Sequence, residues 1–82
     1  MSVKILYFAG LKESIGMSGE SLELPAGVAT VGELRDWLVG QGREALGTAK
    51  NLRCAVNQDM AGLNATVRDG DEIAFFPPVT GG

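Results

Sequence analysis

The sequence of 82 residues contains no histidine and only one cysteine, Cys54. Without histidine, the side chain that most often moves protons at neutral pH is missing, and no Ser-His or Cys-His nucleophile pair can be built. A single cysteine also excludes a disulfide within the chain, a multi-cysteine zinc site and a cysteine-ligated iron-sulfur cluster. We therefore expect no metal site and no free-standing active site. Cys54 lies among apolar residues and is interpreted as a small buried side chain rather than a carrier of persulfide sulfur.

The sequence also lacks a strong charge excess and a long hydrophobic run. Seven basic and ten acidic residues give a net charge of -3, without a basic stripe that could neutralise phosphates, so nucleic acid is not expected as a partner. The apolar run of residues 5–9 is too short to span a bilayer, and Lys12 and Glu13 follow it in place of a signal-peptide cleavage site. We predict a cytoplasmic protein that does not bind membranes.

The hydrophobic pattern of the first 50 residues predicts a hairpin followed by one main helix. Residues 3–8 alternate with period two, which indicates a strand that ends at Gly10, and residues 11–15 suit a short helix. Residues 20–24 alternate again and predict a second strand paired with the first. Glu33 follows Thr30 at the spacing of a capping box, and Gly40 and Gly42 supply the helix stop. The buried face of this helix is predicted to hold Val31, Leu34, Leu38 and Trp37.

The second half of the chain predicts a short helical connector through residue 46 and then further strands. A third strand is expected at residues 52–56, and Asn57-Gln58-Asp59 forms the turn into a short fourth segment around Met60. Asp69-Gly70 is a turn signal before the last strand at residues 72–76. A hairpin, one dominant helix and more strands are typical of an α+β domain whose mixed sheet wraps around the helix, the β-grasp fold. We assign this domain to residues 1–76 and an extended tail to residues 77–82.

Alternation within the strands predicts apolar side chains on both faces of the sheet. If the odd-numbered residues of the first strand face the helix, Leu6, Phe8 and Phe76 point away from it. No core is available to cover them on that side. We therefore expect Phe8 and Phe76 to be exposed, although burial in the core is the competing interpretation.

The tail carries the strongest chemical signal in the sequence. Pro77 and Pro78 fix φ and favour an extended path, so the last four residues can reach roughly 13 Å from the sheet. Gly81 and Gly82 have no side chains and can enter a narrow channel in another protein. Adenylation by ATP would give the Gly82 carboxylate a good leaving group, and a sulfur nucleophile could then form a terminal thiocarboxylate. The competing interpretation is an ordinary frayed terminus.

The chain closely resembles the small subunit of molybdopterin synthase, also called molybdopterin converting factor subunit 1, which is a ubiquitin-like sulfur carrier. The resemblance covers essentially the whole sequence. Its most specific segments are residues 3–9 (VKILYFA), residues 55–58 (AVNQ) and, above all, residues 69–82 (DGDEIAFFPPVTGG).

This resemblance implies a cycle of activation and sulfur transfer. An E1-like adenylyltransferase consumes ATP to activate Gly82, and a sulfurtransferase or cysteine desulfurase system converts it to the thiocarboxylate. The large subunit of molybdopterin synthase then receives the tail and transfers the sulfur to cyclic pyranopterin monophosphate. The catalytic side chains belong to that large subunit, the two subunits form a heterotetramer, and the small subunit binds no cofactor of its own.

The resemblance also implies a set of site residues. Gly82 carries the adenylate and the thiocarboxylate, and Gly81 allows the tail to be inserted. Phe8, Met60 and Phe76 form an apolar patch for partners, and Lys12 adds a polar contact at its rim. The remaining partner-binding residues are expected in the tail: Pro77, Pro78, Val79 and Thr80.

Three other functions are compatible with the same sequence. The sulfur carrier of thiamine synthesis shares the fold and the Gly-Gly end, although the sequence FFPPVTGG argues against it. A ubiquitin-like modifier would join Gly82 to lysines of target proteins. A β-grasp adaptor would bind partners through its surface alone, and deletion of Gly81-Gly82 would leave its function intact.

Overall fold

The computed structural model describes residues 2–49 and 51–78. Its five strands form one mixed sheet, and the helices pack on one face of it. No helix of the described residues has both the length and the apolar character needed to cross a membrane. In chain order the elements are β1 (Val3–Tyr7), α1 (Gly10–Ile15), β2 (Gly19–Leu22), α2 (Val31–Gly40), α3 (Ala45–Thr48), β3 (Arg53–Val56), β4 (Asp59–Ala61) and β5 (Glu72–Phe76).

The last strand of the chain occupies the centre of the sheet. The strand order is β2-β1-β5-β3-β4, in which β5 runs parallel to β1 and antiparallel to β3. The hairpin of β1 with β2 is antiparallel, as predicted. This arrangement of a mixed sheet around one main helix confirms the predicted α+β β-grasp fold. Because β5 is the central strand, the chain leaves the sheet from its middle.

Helix α2 begins and ends as the sequence predicts. The Thr30 side chain accepts a hydrogen bond from the Glu33 N–H, and the Glu33 carboxylate accepts one from the Thr30 N–H, so the capping box is complete. At the other end Gly42 has φ 102°, and the N–H of Arg43 donates to the carbonyl of Leu38 at 3.0 Å. This is a Schellman cap, which requires a residue that tolerates left-handed dihedrals.

Several predicted boundaries differ from the structure, among them the start of β3, which is Arg53 and not residue 52. Strand β1 ends at Tyr7, and Gly10 begins α1 instead of ending the strand. Strand β2 covers Gly19–Leu22 and stops before the predicted limit at residue 24. The turn after β3 has two residues, Asn57 and Gln58, both with positive φ, while Asp59 already belongs to β4. Such a two-residue loop matches the twist of a hairpin, and its dihedrals are not evident from these residue types.

The core lies between the helices and one face of the sheet. Every second residue of β1 and β5 enters it, and Val31, Leu34 and Leu38 of α2 meet them there, as predicted. Trp37 is only partly buried and packs against the edge of this cluster. The fully buried large side chains are Val3, Ile5, Tyr7, Val31, Leu34, Leu38, Leu46, Ile73 and Phe75.

An ion pair closes the core at the end of α2. The Arg43 guanidinium donates to both oxygens of the Glu20 carboxylate, at 2.9 and 2.6 Å, and the Tyr7 hydroxyl donates to the same carboxylate at 2.7 Å. The hydrogen bonds from Arg43 lower the pKa of Glu20 below its ordinary value. Burial, aided by the adjacent carboxylate, raises the pKa of Tyr7, so its hydroxyl stays protonated. The network ties β1 and β2 to the segment after α2.

Candidate functional site

The sheet has an outer face, which is the face turned away from the helices. Because paired residues of neighbouring strands point to the same side, the register shows which side chains share it. Leu6 pairs with Ala74, Ala74 with Ala55, and Ala55 with Met60. These four residues form one row across four strands, in which the two alanines give a shallow floor between the larger Leu6 and Met60.

A second row lies beside it at the point where the chain leaves the sheet. Phe76, the last residue of β5, pairs with Arg53, the first residue of β3. On the other side of β5, the N–H of Phe8 donates to the carbonyl of Phe75 at 3.2 Å, so Phe8 continues the pairing of β1. We call Leu6, Phe8, Ala55, Met60, Ala74 and Phe76 the apolar patch.

The apolar patch contains the three apolar residues that the sequence analysis predicts to bind partners. Phe8 is 47% exposed and Met60 is 66% exposed, whereas Phe76 is partly buried beside them. The structure therefore brings Phe8, Met60 and Phe76 onto one face, and their role in binding stays a prediction. Lys12 is exposed in α1, one helical turn after Phe8 and outside the sheet.

Sequence reasoning missed the alanine floor and Arg53. Leu6 was expected on this face but not as part of the partner surface. Ala55 and Ala74 carry no local signal, because only the pairing of β3 with β5 puts them side by side. Arg53 was missed for the same reason. The exposed Leu63 lies elsewhere, since its carbonyl accepts a hydrogen bond from Gly32 in α2.

The exit of the chain is fixed by the end of β5. Strand pairing stops after Phe76, because Pro77 and Pro78 have no N–H to donate. Both prolines are partly buried at the edge of the described structure. The predicted functional residues Val79, Thr80, Gly81 and Gly82 lie outside the described residues. The division into a domain and a tail at residue 77 also stays a prediction.

The opposite end of the outer face is polar. Lys4 pairs with Glu72 on one side and with Ser21 on the other. Nearby, the Asp71 carboxylate accepts hydrogen bonds from the Asn57 side chain at 3.0 Å and from the Arg68 N–H at 2.9 Å. These bonds lower the pKa of Asp71, with the Asn57 contact as the main cause. Asp71 thus anchors the start of β5.

Cys54 belongs to the core, as its sequence context predicts. It is 2% exposed, and its Sγ lies 3.1 Å from the carbonyl oxygen of Ala61. Burial raises the pKa of this thiol, which disfavours the reactive thiolate. Among residues 2–49 and 51–78, no cluster of acidic, cysteine or histidine side chains suits a metal ion. The described surface thus has an apolar face beside the point where the chain leaves the sheet.

These features define a class of protein: a small ubiquitin-like β-grasp domain whose C-terminal strand leads out from the centre of the sheet. The chain belongs to the ThiS family, whose model matches residues 5–82. Its resemblance to the small subunit of molybdopterin synthase is confirmed by relatives named molybdopterin synthase sulfur carrier subunit. One of them, the molybdopterin synthase sulfur carrier subunit of Escherichia coli (strain K12), is 42% identical over 82 residues. That match covers 98% of this chain and 99% of the relative.

Two solved structures place the fold among ubiquitin-like proteins. Small archaeal modifier protein 1 from Haloferax volcanii matches with a TM-score of 0.79 and 33% identity, and the match covers 100% of both chains. A structure of the complex of subunits 1 and 2 of molybdopterin-converting factor from Helicobacter pylori matches with a TM-score of 0.65. That match covers 100% of both chains, but at 24% identity it shows only that the two proteins share a fold.

Proposed function

We propose that this chain is the sulfur carrier subunit of molybdopterin synthase and that Gly82 is its working residue. The observation that carries the proposal is the match to the Escherichia coli sulfur carrier subunit over nearly the full length of both chains. The family match extends through Gly82, so the terminal glycines lie within the matched region. The function resides in the terminus, since the described residues offer a docking surface but no histidine and no exposed thiol.

The chemistry follows from the poor reactivity of a carboxylate. An E1-like adenylyltransferase joins the Gly82 carboxylate to the AMP part of ATP and releases pyrophosphate. A persulfide on a sulfurtransferase or cysteine desulfurase then attacks the acyl carbon and displaces AMP. Reduction of the resulting sulfur-sulfur bond by a thiol leaves the thiocarboxylate on Gly82. Two such carriers deliver the sulfur atoms that complete the dithiolene on cyclic pyranopterin monophosphate.

The geometry supports separate roles for the surface, which docks on a partner, and for the tail, which carries the sulfur. The apolar patch offers a protein partner Phe8, Met60 and Phe76 on one side of the sheet, beside the chain exit. A partner that covers this patch would receive the tail directly after Pro77 and Pro78. We assign the docking to the large subunit of molybdopterin synthase, which supplies the catalytic side chains and forms a heterotetramer with this chain. The carrier binds no cofactor, and the cycle runs in the cytoplasm, where thiols stay reduced.

Tandem mass spectrometry of the C-terminal fragment tests this proposal. The full chain is incubated with ATP, its adenylyltransferase and a sulfur source, and the fragment that contains Gly82 is sequenced. Localisation is needed because exchange of oxygen for sulfur changes the mass almost as much as oxidation of one methionine. We expect a thiocarboxylate on Gly82. An unmodified terminus, in a reaction that converts a control carrier, would reject the sulfur-carrier function.

A second candidate is a ubiquitin-like modifier, because the fold also matches small archaeal modifier protein 1. A modifier would form isopeptide bonds between Gly82 and lysines of other proteins. It would produce higher-mass conjugates on a blot, and deletion of Gly82 would remove them. A carrier of thiamine synthesis would instead copurify with a thiazole synthase. Copurification with the large subunit of molybdopterin synthase, without conjugates, distinguishes our proposal from both.

A further inference from the structure

Arg53 is the one charged residue in the two rows of the outer face that contain the apolar patch. It begins β3 and pairs with Phe76, so its side chain stands beside the last aromatic residue before the chain exit. Cross-strand neighbours of this kind have Cβ atoms about 5 Å apart. Any protein that covers Phe76 must therefore also cover or border the guanidinium of Arg53.

This cation has no partner within the described part of the chain. Salt bridges among residues 2–49 and 51–78 join Arg35 with Asp36 and Arg43 with Glu20, and Arg53 forms none. The residue is exposed, in a protein whose net charge is -3. A long, charged side chain that borders an apolar surface without an internal carboxylate is available to pair with an external one.

We propose that Arg53 is a specificity-determining contact, which pairs with an acidic side chain of the large subunit at the rim of the apolar patch. This inference rests on the proposed function, because the large subunit is the partner into which the tail is inserted. The pair would fix the register of docking at the exit of the chain. It would also steer the encounter, because complementary rim charges act mainly on the association rate.

Lys4 provides a matched control on the same face. Lys4 pairs with Glu72, whereas Arg53 pairs with Phe76. These two positions of β5 are four residues apart, so Lys4 and Arg53 are separated by about 13 Å along the strand direction. The Debye length at physiological ionic strength is about 8 Å, so a carboxylate near Arg53 is largely screened from Lys4. Arg53→Met and Lys4→Met each remove one positive charge and lower the formal net charge from -3 to -4. They therefore differ in the place of the lost charge and not in its amount.

The experiment measures the association rate of the full chain with purified large subunit from the same organism. At 150 mM NaCl, where the Debye length is about 8 Å, we expect Arg53→Met to slow association about two- to fivefold, Arg53→Glu to slow it about tenfold or more, and Lys4→Met to remain within about 1.5-fold of the wild type. Arg53→Lys should retain most of the rate. At 500 mM NaCl all the rates should converge, because salt screens the pair. Thermal unfolding of each variant confirms that it is folded.

The outcomes separate this inference from the proposed function. If the wild-type chain does not bind the large subunit at all, the proposed function fails before Arg53 is tested. If the wild type binds but Arg53→Met behaves like Lys4→Met, the inference is overturned. It is also overturned if Arg53→Lys and Arg53→Met associate equally slowly and both stay slower than the wild type at 500 mM NaCl. Arg53 would then act by packing on Phe76 and not by its charge. An effect confined to the adenylyltransferase would overturn the assignment to the large subunit.

Discussion

The two faces of the sheet are built from the same strands but differ in burial. On the inner face, β5 contributes Ile73 and Phe75, both fully buried against the helices. On the outer face the same strand contributes Ala74 and Phe76, which are not part of the core cluster and lie on the same face as the exposed Phe8. Residues that alternate along one strand therefore belong to the core and, in our proposal, to the partner surface in turn.

The difference shows why a small protein can keep large apolar side chains on its surface. The inner face is closed by α2 and by the ion pair of Glu20 with Arg43, so its residues are fixed by packing. The outer face has a floor of alanines with larger side chains around it, a shape that leaves room for a partner. Substitutions on the two faces should consequently change different measurable quantities.

Phe75→Ala is expected to have the largest effect on stability. Removal of a fully buried phenylalanine leaves a cavity and should lower the free energy of unfolding by about 3–5 kcal/mol. Urea denaturation at pH 7 measures it. The matched control is the neighbouring Phe76→Ala, which should cost less than about 1.5 kcal/mol because Phe76 has no core around it. Equal losses for the two variants would refute the division between the faces.

Phe76→Ala should instead have the largest effect on binding. A central aromatic anchor of an interface contributes about 2 kcal/mol or more, so affinity for the large subunit should fall at least about 30-fold. The same variant should weaken binding to the adenylyltransferase. Isothermal titration calorimetry measures both. Unchanged affinity for both proteins, in a variant that remains folded, would remove Phe76 from the partner surface.

Local patterns in the sequence predict the strands, the helix caps and the two-faced character of the sheet. The alternation around Phe8 and Phe76 is visible because it depends only on neighbours in the chain. The contents of the outer face are not visible in the same way. Ala55, Ala74 and Arg53 come together through pairing of β3 with β5, and register between distant strands has no local signal. The exact ends of β1 and β2 were wrong because they too depend on tertiary contacts.

Glu20→Gln tests how much the ion pair of Glu20 with Arg43 contributes to the free energy of unfolding. The variant keeps an acceptor for Tyr7 but removes the charge that Arg43 binds, and it should lower the free energy of unfolding at pH 7 by about 1–2 kcal/mol. Because the folded-state pKa of Glu20 is lowered, the charge stabilises the fold above the ordinary pKa of 4.5. That contribution is lost as the pH falls from 4.5 through the lowered value. Urea denaturation curves of wild type and variant should therefore converge once the pH falls below the lowered pKa of Glu20, and a constant difference would contradict the role of the charge.

Ala9→Gly should give the smallest effect, and in the opposite direction. Ala9 has φ 53° and ψ -131° between the exposed Phe8 and the start of α1, a conformation that glycine adopts without strain. Relief of that strain, less the extra freedom of glycine in the unfolded chain, should stabilise the protein by about 1 kcal/mol. Ala26→Gly is the control, because Ala26 is also exposed but its φ is not positive, and it should be slightly destabilising. If both variants lose stability equally in urea denaturation, the backbone at Ala9 is not strained. If Ala9→Gly gains stability but binds the large subunit less well, the strain at Ala9 serves to hold Phe8 in place for the partner.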